Sequence, residues 1–172
     1  SFANQLWHSD SSFMDPRAAY SMLHCLVKPS WGGDTEFADL RNAYDTLDER
    51  TKAEIVDLEA EHYALHTRTL LGDEAYTDDQ KRMIPPATWP LVDTHPGSGR
   101  KVLFVGVHAR QITGWPTAEA RIFLSDLLEH ATQRANVYTH KWQIGDLVIW
   151  DNRATLHRGR RFDIGERREL RR

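Results

Sequence analysis

The sequence holds a single cysteine, Cys25, in 172 residues. No disulfide can therefore form within the chain, a pattern that fits a reducing, cytoplasmic setting. Cys25 lies in the apolar run from Met22 to Val27 and reads as a small buried hydrophobe. No apolar stretch reaches the roughly 20 residues that a bilayer-spanning helix needs, so no membrane partner is expected. Charge of one sign is lacking too: 22 Lys and Arg against 25 Asp and Glu leave a net charge of -3. That near-balance argues against a general nucleic-acid binder. There is no internal repeat and no low-complexity segment. An initiating methionine is also missing, since the chain opens on Ser1. It reads as a piece of a longer protein, so a targeting segment is not legible from it.

What is present is ordinary globular material, 40% hydrophobic and 27% charged, and long enough for one domain with a core. The segment 1–13 reads as strand and loop, and 19–27 as a strand. The Pro29, Gly32 and Gly33 run reads as a turn. Leu40, Ala43, Tyr44 and Leu47 fall at helical spacing. Thr51-Lys52-Ala53-Glu54 has the form of a capping box opening a second helix. The stretch 66–99, with Pro85, Pro86, Pro90 and Pro96, reads as mostly loop. A strand is expected over 101–107. An amphipathic helix is expected over 117–134, with Phe123, Leu124, Leu127, Leu128 and Ala131 as its buried stripe. Short strands follow at 137–142, 147–150 and 155–158, with a Gly145-Asp146 turn between the first two. The pattern predicts a mostly β fold with helical insertions, a sandwich or jelly roll.

Chemistry concentrates in three places. In Trp7-His8-Ser9-Asp10, residues 8 and 10 point to the same side of an extended chain, so an imidazole and a carboxylate aim at one point. The second place, Trp150 to Arg158, supplies His157 at the end of a strand. Two histidines and one carboxylate make the facial triad of non-haem iron(II) oxygenases, although zinc accepts the same set. The third is the arginine-rich end, with Arg158, Arg160, Arg161, Arg167, Arg168, Arg171 and Arg172 in the last fifteen residues. Such a run is most often a solvated face. Arg168 and Arg172 differ, because a four-residue step on a strand puts both on one face, and guanidinium is the natural bidentate clamp for a carboxylate. One could hold the distal carboxylate of a 2-oxo diacid and the other an anionic substrate. A zinc hydrolase gives no reason for that pairing.

With these residues in place, the sequence resembles the taurine dioxygenase superfamily of 2-oxoglutarate-dependent oxygenases, over essentially its whole length. The stretches that carry the likeness are FANQLWHSDSSF, GGDTEF, AEHYAL, LLEHATQR, GDLVIWDNR, LHRGRRFDI and RRELRR. The resemblance implies a double-stranded β-helix, or jelly roll. It implies one catalytic domain over 1–172, incomplete at both ends and lacking its N-terminal part. It implies His8, Asp10 and His157 as ligands of Fe(II), with 2-oxoglutarate and dioxygen as cosubstrates. Thr35 matches a threonine that helps bind the 2-oxoglutarate carboxylate, and Arg168 the arginine that pairs with its distal carboxylate. Arg172 matches the arginine for the anionic head of the substrate, and Asn4 a polar position of the substrate pocket. The implied substrate is a small anionic aromatic acid, an aryloxyacetate; a homo-oligomer is left open.

Other readings remain beside this one. A relative in the same superfamily could act on taurine or another small sulfonate or carboxylate. A non-catalytic jelly-roll binding protein with a vestigial metal site is a different class, against which the intact triad with Thr35 and Arg168 argues. A zinc hydrolase would need a general base beside the metal, and none is placed. His24, His62, His66, His95, His108, His130 and His140 show no ligand spacing with the triad and read as surface or hydrogen-bonded residues, with pocket roles open for His95 and His108. Six tryptophans read mainly as core, but Trp7 and Trp150 neighbour the motifs and are candidates to line the site.

Overall fold

The computed structural model describes residues 2–72 and 76–172. A short 3-10 turn, Phe2–Gln5, leads to β1 (Tyr20–Val27), β2 (Thr35–Asp39), α1 (Leu40–Asp45) and α2 (Glu49–Ile55). The middle of the chain forms β3 (Glu59–His62), α3 (Ala64–Leu70), α4 (Asp78–Met83), β4 (Ala87–Pro90), β5 (Val92–Thr94), β6 (Lys101–Leu103) and β7 (Ala109–Ile112). It closes with α5 (Thr117–Ala131), β8 (Val137–His140), β9 (Leu147–Asp151), β10 (Thr155–Gly159) and β11 (Glu169–Arg171). The fold is mostly β with helical insertions, as expected.

Two three-stranded antiparallel sheets frame the jelly roll, one ordered β11-β1-β9 and the other β10-β2-β8. Alternation along β2 shows how the second sheet serves two layers. Ala38 and its cross-strand partner Leu156 are fully buried in the main hydrophobic core. That core also contains Leu40 and Ala43 of α1, Leu124 and Leu127 of α5, and Phe104 and Val105. Phe37 and its partner His157 turn the other way, toward the first sheet, where Phe37 meets Trp150 at 5.4 Å between ring centroids. The helices thus back one face of this sheet, and its other face opposes β1 and β9.

Several expectations need correction. The stretch 66–99 is not mostly loop, because it carries most of α3, all of α4, and β4 and β5. A capping box does exist, but at Thr77 and Gln80, where it opens α4. The helix expected to start from Thr51 starts instead at Asp48, whose carboxylate accepts from the Thr51 backbone N–H at 2.9 Å. Pro90 is tolerated in a strand because β4 is the edge of the β4-β3-β7 sheet. The strand expected over 101–107 ends at Leu103, after which Phe104 bonds back to Leu91 O. Helix α5 stops at Ala131, before the expected Arg134. Its predicted stripe holds: Leu124, Leu127 and Ala131 are buried, and Phe123 and Leu128 pack against the core. Cys25 is buried, as read from its surroundings.

Candidate metal centre and anion cavity

The segment before β1 is not a regular strand. It touches the second sheet through one isolated bridge between His8 and His157. His8 N–H donates to His157 O at 3.1 Å and His157 N–H to His8 O at 2.8 Å. Two main-chain bonds therefore place the two imidazoles side by side, 4.2 Å apart at their centroids. Asp10 follows two residues after His8. Its carboxylate lies 3.7 Å from His8 Nε2 and 3.6 Å from His157 Nε2, too long for hydrogen bonds. All three ligand atoms sit within 4.8 Å of one another, and this is the one such group of His, Cys, Asp or Glu among the described residues.

The local chemistry suits a cation. His8 Nδ1 lies 2.8 Å from Leu6 O. A carbonyl only accepts, so Nδ1 carries the proton and the Nε2 lone pair faces Asp10. Burial, and next His8, hold the His157 pKa down at about 3, so its ring is neutral at physiological pH. Burial pushes Asp10 upward, but the Arg172 guanidinium, His157 and the Ser21 hydroxyl outweigh it and keep the carboxyl ionised. Two neutral imidazoles and one carboxylate, with their lone pairs converging, form a donor set that an iron-type divalent ion fits.

A cavity of about 270 Å³ opens on this group. Asn4, His8, Asp10, Thr35, His157, Arg168 and Arg172, the seven residues singled out from the sequence, all line it. Leu23, Trp150, Gly159 and Leu170 complete the wall. None of those four except Trp150 was foreseen; Leu170 was implicit, since it shares the strand face of Arg168 and Arg172. Thr35 is 2% exposed, and its hydroxyl accepts from Trp142 Nε1 at 3.0 Å. Arg168 donates to Gly33 O through Nε and Nη2, at 3.2 and 2.9 Å, and pairs with no carboxylate among the described residues. Burial lowers its pKa below the usual guanidinium value. A half-buried cation without a counter-charge favours an anion beside it. Arg172 forms an ion pair with Asp10, which sets its guanidinium at the mouth of the same cavity.

The remaining sequence candidates sort differently. Trp7 does not line this cavity; it is buried in the core beneath Arg158, 4.5 Å from its ring centroid. His95 bonds to Asp151 and Ser98 at 2.9 Å each, and His108 to Thr67 at 2.7 Å. His62 departs from the surface or hydrogen-bonded reading: it is 1% exposed and neither ring nitrogen has a partner. Its ring stacks on Phe104 instead. Arg158 and Arg160 pair with Glu36, and Arg167 and Arg171 with Glu169. These four make the ordinary charged face that such a run predicts.

Comparison with known proteins agrees with this geometry. Residues 1–172 match the family described as taurine catabolism dioxygenase TauD, TfdA family. The alpha-ketoglutarate-dependent 2,4-dichlorophenoxyacetate dioxygenase of Burkholderia sp. (strain RASC) is 61% identical over 99% of this chain. The (S)-phenoxypropionate/alpha-ketoglutarate-dioxygenase of Sphingobium herbicidovorans is 39% identical over 96% of it. The chain spans 58% and 60% of the lengths of these two relatives. The crystal structure of AAD-2 in complex with Mn(II) and N-oxalylglycine superposes with a TM-score of 0.96 at 50% identity, covering 99% of this chain and 68% of that one. The chain belongs to the taurine catabolism dioxygenase TauD, TfdA family.

Proposed function

We propose that this chain is the catalytic domain of an Fe(II)- and 2-oxoglutarate-dependent dioxygenase that hydroxylates an aryloxyacetate such as 2,4-dichlorophenoxyacetate, giving a phenol and glyoxylate. The observation that carries the proposal is one cavity holding both a His-His-Asp donor set and an unpaired, half-buried arginine. A metal site alone fits many chemistries; a metal site facing a carboxylate clamp fits a 2-oxo diacid cosubstrate. The names of the relatives support the aryloxy acid. A reducing, cytoplasmic setting belongs to the same reading and rests on the single free Cys25.

His8, Asp10 and His157 would hold the metal. Bound iron would supply dioxygen activation coupled to oxidative decarboxylation of 2-oxoglutarate, yielding succinate and carbon dioxide. The protein's part is binding and orientation. Arg168, braced on Gly33 O, takes the distal carboxylate of the cosubstrate, with the Thr35 hydroxyl on the same wall. Arg172, at the mouth, takes the carboxylate of the aryl acid, and Asn4 borders that end. Leu23, Trp150 and Leu170 give the cavity its apolar surface, which excludes water from the reacting carbon.

The test is anaerobic loading with Fe(II), then oxygen, with succinate measured from 2-oxoglutarate in the presence and absence of 2,4-dichlorophenoxyacetate. The expected outcome is succinate and 2,4-dichlorophenol in equal amounts, both dependent on iron. Succinate without phenol would retain the dioxygenase and discard the aryloxyacetate. Absence of succinate with every acid tried would discard the dioxygenase.

A further inference from the structure

Behind Asp10 lies a buried polar relay. Asn152 is 1% exposed, and Ser21, Ser9 and Trp150 around it are all buried. Ser21 and Trp150 are cross-strand partners on β1 and β9, and Asn152 follows β9 by one residue. The Asn152 side-chain oxygen accepts from Trp150 Nε1 at 3.0 Å and from the Asp10 backbone N–H at 3.2 Å. Its amide nitrogen donates to Ser21 Oγ at 2.8 Å. Ser21 Oγ in turn donates to Asp10 Oδ2 at 2.7 Å. Ser9 Oγ ties the same loop down by donating to Asn152 O at 2.6 Å.

The direction of each bond is dictated. Two N–H donors on one side of the amide admit only its oxygen there, so its NH₂ must face Ser21. A hydroxyl that accepts from that NH₂ turns its own proton to the carboxylate. Asn152 thus holds the Asp10 backbone directly and its carboxylate through Ser21.

We propose that Asn152 and Ser21 are positioning residues for the metal centre, which fix the place and rotation of the Asp10 carboxylate before any ion binds. This rests on the reading of His8, Asp10 and His157 as metal ligands. The physical basis is general: a ligating carboxylate with a free torsion loses affinity by having to order itself on binding, and hydrogen bonds from the surrounding shell remove that cost. Neither residue lines the cavity, so neither touches substrate or cosubstrate.

The experiment is calorimetric titration of the protein with Mn(II), without cosubstrate or turnover, alongside thermal melts. Ser21→Ala and Asn152→Asp are each expected to weaken Mn(II) affinity by roughly tenfold or more, the usual scale for loss of an outer partner of a metal ligand. Asn152→Asp keeps the shape but cannot donate to Ser21, so it draws the Ser21 proton away from Asp10. Ser21→Thr retains the hydroxyl and is expected to recover most of the affinity. Parental Mn(II) affinity in Ser21→Ala would overturn the inference while leaving the metal centre standing. Equal losses in Ser21→Ala and Ser21→Thr would overturn it as well, by assigning the effect to packing rather than to the hydroxyl. A parent protein that binds no Mn(II) would overturn the metal centre itself, and this inference with it.

Discussion

At the scale of single residues, the cavity separates two arginines by their surroundings. Arg168 is held by a carbonyl and lacks a counter-charge, while Arg172 reaches Asp10 from an exposed position. Loss of a charge-assisted hydrogen bond costs about 1.5–3 kcal/mol, or roughly ten- to a hundredfold in affinity. Arg168→Ala is expected to raise the KM for 2-oxoglutarate by that factor, with a smaller change for the aryl acid. Arg172→Ala is expected to do the reverse. Steady-state kinetics with each substrate varied in turn checks both, and equal effects on the two substrates would remove the assignment. Gly33 adds a test of the brace. Its φ is +77°, and a Cβ there would lie 3.0 Å from Arg168 Nε and 3.1 Å from Pro29 Cγ. A side chain in this backbone region costs about 1–2 kcal/mol. Gly33→Ala is therefore expected to lower the melting temperature and also raise the 2-oxoglutarate KM, because Arg168 must yield. A change in melting temperature alone would mean that the turn yields instead.

At the scale of elements, legibility followed periodicity. Helix α5 and strands β1, β8, β9 and β10 were readable because each buries one face against a continuous core and so repeats its pattern. The small β4-β3-β7 sheet was not, because each strand has only four residues, too few for alternation to stand out. Helix α4 has no buried residue at all, so only its cap marks it, and the nearby prolines drew the reading toward loop. The site was more legible than the fold. His8, Asp10, His157, Arg168 and Arg172 are chemically distinctive, and their spacing on extended chain predicts convergence. Ser21 and Asn152 carried no such signal, since buried serine and asparagine are common and their role depends on the pairing of β1 with β9. Helix α5 permits a direct check on packing. Leu127 is 3% exposed within the core, whereas Ile122 is 66% exposed. Leu127→Ala is expected to cost about 2–5 kcal/mol in denaturant unfolding, and Ile122→Ala less than about 0.5 kcal/mol. Comparable losses would mean that α5 presents a different face to the core.

At the scale of the whole molecule, buried histidines couple stability to pH. Burial, with lesser contributions from His108 and Arg17, lowers the His62 pKa to about 3. Burial, and next His8, lowers that of His108 to about 4. Unfolded, each titrates near the ordinary value of 6.5. Between those limits the unfolded chain binds more protons than the folded one, so stability rises with pH across the window. The stabilisation is complete above about pH 6.5 and is lost as pH falls toward 4. Each histidine contributes a slope of about 1 kcal/mol per pH unit there. The carboxylates Asp10 and Asp39, both held below the ordinary carboxylate range, act at lower pH and do not blur it. Urea unfolding of the metal-free protein at several values between pH 4.5 and 7.5 is expected to show this slope. His62→Phe, which keeps an aromatic ring on Phe104 and removes two buried, unpartnered nitrogens, is expected to flatten it by about half. A slope unchanged in that variant would mean that His62 finds a proton donor or water within the fold, and that the pH sensitivity resides elsewhere.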